Sequence, residues 1–348
     1  MKIIFICGCL EPGKDGVGDY TRKFSDEIMS QGHDVANLSL YDNYISEPTK
    51  KSNILRLPNV EKNTGLLVEF IECFKPDIVS FQYVNYSFHP KGLNYKIGRL
   101  LNRYIKQVPI HIMFHEIYAE GNNFKQKIFS FLHKSVIKKN VDALKPDFVS
   151  TSNLYYKVLL NRIGINSRIL PLFGNISLEY SDHSLIKDYN FEKYFNVVYF
   201  ATLPSIDDLK DQASLLKKHK NVFGKPLRIV LLGKSERQSL FESFLDGVTV
   251  LNLGVLEEKK ISSVFKESNF GVSRVPLRLI GKSGSVISMA EHGLPIWIPV
   301  KDNRKFRIDN FRDFDYLNYF FDLNNIPPKR ESSPQIKKTA KEFLSYFK

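Results

Sequence analysis

The sequence predicts an α/β protein made of two βα arrays in series, each a parallel sheet flanked by helices, facing each other across a cleft. Three observations carry this. The 348 residues exceed one ordinary core and suit two domains of about 150 residues each. Short apolar runs alternate with segments of helical period along most of the chain. The alternation breaks over a polar, poorly periodic stretch between residues 177 and about 190, then resumes.

Taken in order, Lys2–Cys9 is an apolar strand that enters a loop with three glycines, Leu10 to Tyr20. A helix follows from Asp19 to about Gln31, with Tyr20, Phe24, Ile28 and Met29 on its apolar side. Gly32 ends it, and His33–Leu38 opens the next strand. Strand, glycine loop, helix and strand make a βαβ unit, right-handed by default. The spacing is not G-x-G-x-x-G and no acidic residue ends the second strand, so a dinucleotide cofactor is disfavoured. Gly65–Phe74, Leu93–Lys106, Asn122–Leu144 and Leu154–Ile163 read as helices. Between them Asp77–Gln82, Ile110–Phe114 and Phe148–Thr151 read as strands, and Arg168–Leu172 closes the first array.

The second array starts at the strand Asn196–Ala201, followed by strands at Leu227–Leu232, Val248–Leu251 and Phe270–Ser273. Asp208–His219, Glu236–Leu245 and Glu257–Lys266 are the intervening helices, and Gln335–Tyr346 is a final one. Between Ser273 and Pro299 the loop Ile280–Ser285 feeds a short helix holding Val286, Met289 and Ala290. Gly293 and Pro295 stop that helix, and Leu294–Val300 reads as a buried strand. A small-residue loop at a helix start offers unpaired N–H groups and the positive end of the dipole. Lys282 adds a full charge, so the spot suits a phosphate; a plain N-cap by Ser283 or Ser285 is the ordinary alternative.

Composition narrows the class. An apolar fraction of 43% with 25% charged residues is that of a soluble globular chain. No apolar run approaches the ~20 residues needed to span a bilayer. The apolar start reads as a buried strand rather than a signal peptide, since it is short and flows into a loop and helix. Cys7, Cys9 and Cys73 lack metal spacing and fit a reducing, cytoplasmic setting. Basic residues exceed acidic ones by 50 − 37 = 13, which favours anionic partners: phosphate-bearing substrates, anionic membrane or nucleic acid. No interleaved aromatic–basic motif supports nucleic acid. Lys96, Arg99, Arg103 and Lys106 form one helical stripe, and Lys125, Lys127, Lys134, Lys138 and Lys139 follow on the next helix. That pattern fits an anionic membrane surface, against the plain alternative of an amphipathic helix lying on its sheet.

Several patches resemble the retaining glycosyltransferases of the GT-B fold, family 4. They are Pro12 with Gly16-Val17-Gly18-Asp19-Tyr20 and Gly32-His33-Asp34-Val35; Phe114-His115-Glu116-Ile117-Tyr118; Leu170-Pro171 with Gly174-Asn175-Ile176; and Gly293-Leu294-Pro295. The resemblance implies two Rossmann-like domains, residues 1–175 on the acceptor side and 192–330 on the nucleotide-sugar side. A C-terminal helix in 331–348 would pack back toward the first. It implies a metal-independent hexosyl transfer with retention, from a nucleotide sugar to a hydroxyl of a glycan or lipid-linked acceptor in bacterial surface polysaccharide synthesis. No resident cofactor is expected.

By the same resemblance His115 would touch the donor sugar or orient the acceptor, with Glu116 and Tyr118 on the acceptor side. Lys282, Gly281, Ser283, Gly284 and Ser285 would grip the diphosphate, joined by Lys210 and the amides of Gly16 and Gly18. Gly254 and Leu256 would lie along the nucleotide base. The family's Glu-x7-Glu pair is missing: Ile280 and Ser288 stand in those places. Glu291, one turn on, is the candidate for the ribose instead. That departure keeps two alternatives open, a non-catalytic protein that binds nucleotide sugar or a partner glycosyltransferase, and a nucleotide-sugar epimerase.

Overall fold

The computed structural model describes residues 1–105, 108–118, 123–178, 184–234, 237–299 and 317–348. The chain divides into two compact units, Met1–Leu170 with Lys337–Lys348, and Pro171–Ile336.

The first unit runs β1 (Lys2–Cys7), α1 (Gly16–Ser30), β2 (Asp34–Ser39), β3 (Thr49–Lys51), β4 (Ile54–Arg56), α2 (Thr64–Phe74) and β5 (Ile78–Tyr83). It continues with α3 (Ile97–Ile105), β6 (Ile110–Phe114), α4 (Phe124–Leu144), β7 (Phe148–Thr151), α5 (Leu154–Asn161) and β8 (Arg168–Ile169). The sheet order is β3-β4-β2-β1-β5-β6-β7-β8. Ile3 aligns with Val35 on one side and Ile78 on the other, both parallel. β1 and β5 are near-continuous apolar runs because a parallel strand is buried on both faces. Among the described residues of this unit only the β3–β4 pair is antiparallel. The sequence reading had no strand there: the two are short and partly polar.

α1 begins at Gly16, inside the expected glycine loop. Asp15 caps it, accepting the Val17 N–H at 2.9 Å. Gly18 allows the helix to pass close to the strand: a Cβ there would lie 2.3 Å from the Cys9 carbonyl oxygen.

The second unit runs α6 (Ser184–Asp188), β9 (Phe195–Phe200), α7 (Ile206–His219), β10 (Leu227–Leu232), α8 (Gln238–Phe244), β11 (Thr249–Gly254) and α9 (Glu258–Glu267). Then come β12 (Phe270–Val272), α10 (Gly284–Glu291), β13 (Ile296–Trp297) and β14 (Tyr319–Phe320). The order is β11-β10-β9-β12-β13-β14, parallel throughout. Its core gathers Val197, Ile229, Phe241, Phe270 and Trp297. The 177–190 stretch begins as part of this unit rather than as a bare linker, because the Ser177 N–H donates to Glu258 Oε2 of α9 at 3.3 Å.

The last helix, α11 (Ile336–Ser345), brings Phe343 into the first unit. That ring is fully buried, 5.7 Å from Phe5, 5.4 Å from Phe24 and 5.2 Å from His111. Burying one such side chain stabilises by roughly 1.5–3 kcal/mol, which is how a short helix is held. Among the described residues no helix is long and apolar enough to cross a membrane. Lys106, Asn122, Glu236 and Val300, ends of expected elements, lie outside the described residues.

Candidate functional site

In the second unit a cavity of about 760 Å³ opens where four neighbouring strands end. Thr202 and Leu203 follow β9, Gly233 and Lys234 follow β10, Asn252 and Gly254 end β11, and Arg274 follows β12. The chain turns left-handed at three of these exits, with φ of +74° at Ala201, +106° at Gly233 and +59° at Gly254. Gly233 is needed doubly, since a Cβ there would also lie 2.8 Å from the Ala201 carbonyl oxygen. Its N–H donates to the Gly254 carbonyl at 2.6 Å, and the Gly254 N–H donates to Asn252 Oδ1 at 3.0 Å.

Lys234, Arg237 and Arg274 line this cavity, and no carboxylate does so among the described residues. Two of the cations are held from below. Arg237 Nη1 donates to the Pro204 carbonyl at 2.7 Å, and Arg274 Nη1 donates to Thr202 Oγ1. Guanidinium groups partly ordered in this way over strand ends have the charge and donor geometry to hold an anion. The strand order also reverses beside β9, with β10 on one side and β12 on the other. Ligands of open α/β sheets bind at such a point.

Past β12 the chain forms a short 3₁₀ segment, Leu277–Lys282, and enters α10 at Gly284. Ser283 makes no side-chain cap to that helix; its hydroxyl lies 3.2 Å from that of Ser285. Side chains do cap α1, α4, α5 and α7. Gly281 is buried and Lys282 half-buried. Gly284 borders open space, with only Asn175 Oδ1 within 4 Å of a Cβ built there, at 3.9 Å. The start of α10 and the cationic cavity both follow exits of the second sheet. The cations of the cavity were not singled out in the sequence; Gly233-Lys234 after the apolar run LRIVLL was the available signal.

Of the other expected donor residues, Gly254 lines the cavity and Leu256 lies two residues on, half-buried. Lys210 does not line it: its ammonium lies 5.6 Å from the Phe244 ring centre on the exposed side of α7. Glu291 requires a correction. It is 3% exposed, and Oε1 accepts the Gly174 N–H at 2.9 Å and the Gln335 N–H at 3.1 Å. It ties chain segments together and does not face a ribose. Ser288 beside it donates to Asn175 Oδ1 at 2.8 Å and accepts the Asn175 N–H at 3.0 Å.

In the first unit, Gly16 and Gly18 are in the opening turn of α1, not in a loop. Asp15 accepts bonds from the Val17 and Gly18 amides, and burial pushes its carboxyl above the usual carboxylate range. Of the two amides expected to meet a donor phosphate, that of Gly18 thus faces a carboxylate of the chain itself.

His115 is also a correction. It is 6% exposed, its Nε2 lies 2.8 Å from Gln82 Oε1, and its ring meets Tyr20 edge-on at 4.7 Å. Gln82 donates to Ser80 Oγ at 2.7 Å, and Ser80 Oγ lies 2.8 Å from His111 Nδ1. Burial lowers both histidines to about 3, so each is neutral and structural at ordinary pH. Tyr118 is 2% exposed and donates to the Leu159 carbonyl at 2.7 Å, a core role rather than an acceptor contact. Glu116 remains exposed at the strand end. No group of three metal-ligating side chains occurs among the described residues.

Comparison places this architecture among known folds. No family model matches the chain, and no curated protein matches it. Solved structures do. UDP-GlcNAc 2-epimerase from Methanocaldococcus jannaschii matches at TM-score 0.57 and 11% identity, over 100% of this chain and 99% of that one. Sucrose-phosphate synthase from Thermosynechococcus elongatus matches at TM-score 0.55 and 13% identity, over 86% and 81%. AviGT4, a glycosyltransferase involved in avilamycin A biosynthesis, matches at TM-score 0.51 and 13% identity, over 100% and 97%. The chain has the GT-B fold, with two Rossmann-like units.

Proposed function

We propose that this protein is a glycosyltransferase that moves a sugar from a nucleotide-sugar donor to a hydroxyl group. The observation that carries the reading is the cavity lined by Lys234, Arg237 and Arg274, without a carboxylate among the described residues, at the strand-order reversal of the second unit. As the bond from the anomeric carbon to the diphosphate breaks, negative charge gathers on the leaving phosphate. Cations fixed in advance stabilise that charge more in the transition state than in the ground state. They supply the positive field that a divalent ion would otherwise give, so the transfer proposed is metal-independent. Lys282 and the α10 amides would add to this field, and the leaving phosphate itself would take the acceptor proton, giving retention.

A glycan or lipid-linked acceptor in surface polysaccharide synthesis fits the outer side of α4. There Phe124, Ile128 and Phe131 are 80%, 44% and 70% exposed, beside the exposed Lys125 and Lys127. Apolar groups flanked by lysines suit peripheral contact with an anionic membrane, which would put the protein at the inner face of the plasma membrane. On α3, Lys96, Arg99 and Arg103 of the expected stripe border or lie on the helix and are exposed, while Lys106 is outside the described residues. Co-sedimentation with phosphatidylglycerol vesicles, lost on joint Phe124→Ser and Phe131→Ser substitution, is the check on this part.

The decisive experiment is thermal stabilisation by nucleoside diphosphates. The parent is expected to respond to at least one diphosphate and less to the matching monophosphate. Arg274→Ala should weaken the response about 10- to 100-fold, the worth of a charged hydrogen bond. A parent that responds to no nucleoside diphosphate would sink the reading. The full-length likeness to a UDP-GlcNAc 2-epimerase favours one rival: a new epimer of the nucleotide sugar, formed without any acceptor, would establish it.

A further inference from the structure

Each sheet has an edge strand on either side, and three of these four edges are blunted. β3 is three residues long and carries Lys50 and Lys51, β8 is two residues long and carries Arg168, and β14 is two residues long. Short length and a basic side chain are the ordinary means by which an edge avoids pairing with another chain. β11 has neither. It is six residues long and pairs with β10, and no strand among the described residues lies on its far side. From Gly247 to Leu256 the chain carries no ionisable side chain at all.

The strand is open on its faces as well. None of its residues is fully buried, whereas every residue of the neighbouring β10 is. Val248 and Val250 pack against the core of the unit only in part. Leu251 and Leu253 are half-buried, and Val255 just beyond the strand is 68% exposed. The ladder to β10 runs in regular register from Thr249 to Asn252 and shifts only at Gly254. A strand paired on one side turns N–H and C=O groups outward along the other, so this regular stretch is a template for a further strand.

We infer that β11 is the surface through which two copies of this chain associate, edge to edge and antiparallel, in a closed two-fold dimer. A strand edge holds both donors and acceptors, so an antiparallel copy related by a two-fold axis satisfies it with the same sequence. Charge selects the same place. With a net charge of +13 the copies repel one another, and a self-contact is least opposed where no basic residue meets its own equivalent. Valine, leucine and threonine side chains flank the new row of hydrogen bonds, and such pairs across strands stabilise it. Thr249 opens the strand and Val255 follows its end, so antiparallel pairing sets Thr249 of one copy beside Val255 of the other. Asn252 and Gly254 also line the cationic cavity, which the added strand would therefore border. The association itself does not rest on the transferase reading.

The test is sedimentation velocity on the full chain, from about 1 to 100 μM. The parent is expected to reach twice the chain mass as concentration rises. Thr249→Lys with Val255→Lys sets like charges together at both ends of the pair and should weaken the dimer about tenfold. Thr249→Lys with Val255→Glu sets opposite charges together and should leave it within about threefold of the parent. Both positions are exposed, which keeps the variants folded, checked by unchanged thermal melting. Hydrogen exchange reads the same interface without substitution: amides of residues 249–253 should gain protection with concentration, and those of β3 should not. A parent that stays monomeric throughout would overturn the inference. So would equal weakening by the two variants, a Lys–Lys variant that dimerises like the parent, or β11 amides that exchange at one rate at every concentration. Growth past the dimer would replace the closed pair by an open assembly and overturn it as well. The nucleoside diphosphate response, measured on the same samples, decides the transferase reading separately.

Discussion

Replacing Glu291 by alanine removes the acceptor shared by the half-buried Gly174 N–H and the buried Gln335 N–H. A buried donor left unsatisfied costs roughly 1–3 kcal/mol, so the pair costs at most about 2–6 kcal/mol. Glutamine keeps an oxygen in place and loses only the charge assistance, about 1–2 kcal/mol. The chain offers a local reporter. Trp297 is its one tryptophan, 1% exposed in the core of the second unit. Its fluorescence during urea unfolding follows that unit, which need not unfold together with the first. With a slope of about 2 kcal/mol/M, Glu291→Ala should lower the midpoint by roughly 1–3 M, and Glu291→Gln by about 0.5–1 M. The folded fraction should keep its nucleoside diphosphate affinity within about twofold, because the carboxylate holds chain segments and no ligand. An unchanged midpoint together with lost diphosphate binding would refute this reasoning and return Glu291 to the ribose.

Gly18→Ala should destabilise the first unit by about 1–3 kcal/mol, since the new methyl meets backbone rather than a flexible side chain; a circular-dichroism urea midpoint equal to the parent's would count against the observed packing of α1. The pH dependence of the same unit has a fixed sign. His111 and His115 titrate near 3 when folded and near 6.5 when unfolded, so between those values the unfolded chain binds more protons. Their contribution is complete above about pH 6.5 and is lost as pH falls toward 3. His115→Gln should flatten the fall in midpoint between pH 7 and pH 5, and parallel curves for parent and variant would contradict the buried, neutral assignment.

Buried parallel strands were legible because they need apolar side chains on both faces. Leu227–Leu232 has the same limits in sequence and structure. The strands missed were those without such a run: β3 is wholly exposed, and β4 and β14 are two or three residues long. Gly16 and Gly18 disguised a helix start as a loop, because glycine disfavours helix interiors. Asp15 as a cap was the overlooked signal. The site was harder to read for a different reason. Glu291 was judged by its reach along its own helix, whereas its partners are 117 and 44 residues away. The cationic cavity joins exits of four strands, and the Arg274–Thr202 contact alone spans 72 positions. No local spacing rule records such a set; only the strand order brings it together.

The two glycine-bearing helix starts then separate on electrostatic grounds. Both were expected to meet the donor phosphates. At α1 the positive end of the dipole is already matched by the half-buried Asp15 carboxylate, which accepts two amides. A diphosphate there would have to displace a negative group of the chain or stand beside it, and like charges in a poorly solvated site repel strongly. At α10 the Ser283 side chain does not cap the helix, and Lys282 closes the preceding segment. The second unit adds Arg237 and Arg274, each already tethered through one Nη1 to the segment after β9. A guanidinium has five N–H donors in a rigid fork, so the Arg274 contact with Thr202 does not by itself exhaust its capacity. On these grounds the proposed diphosphate contact belongs with the cations of the second unit and not with the start of α1.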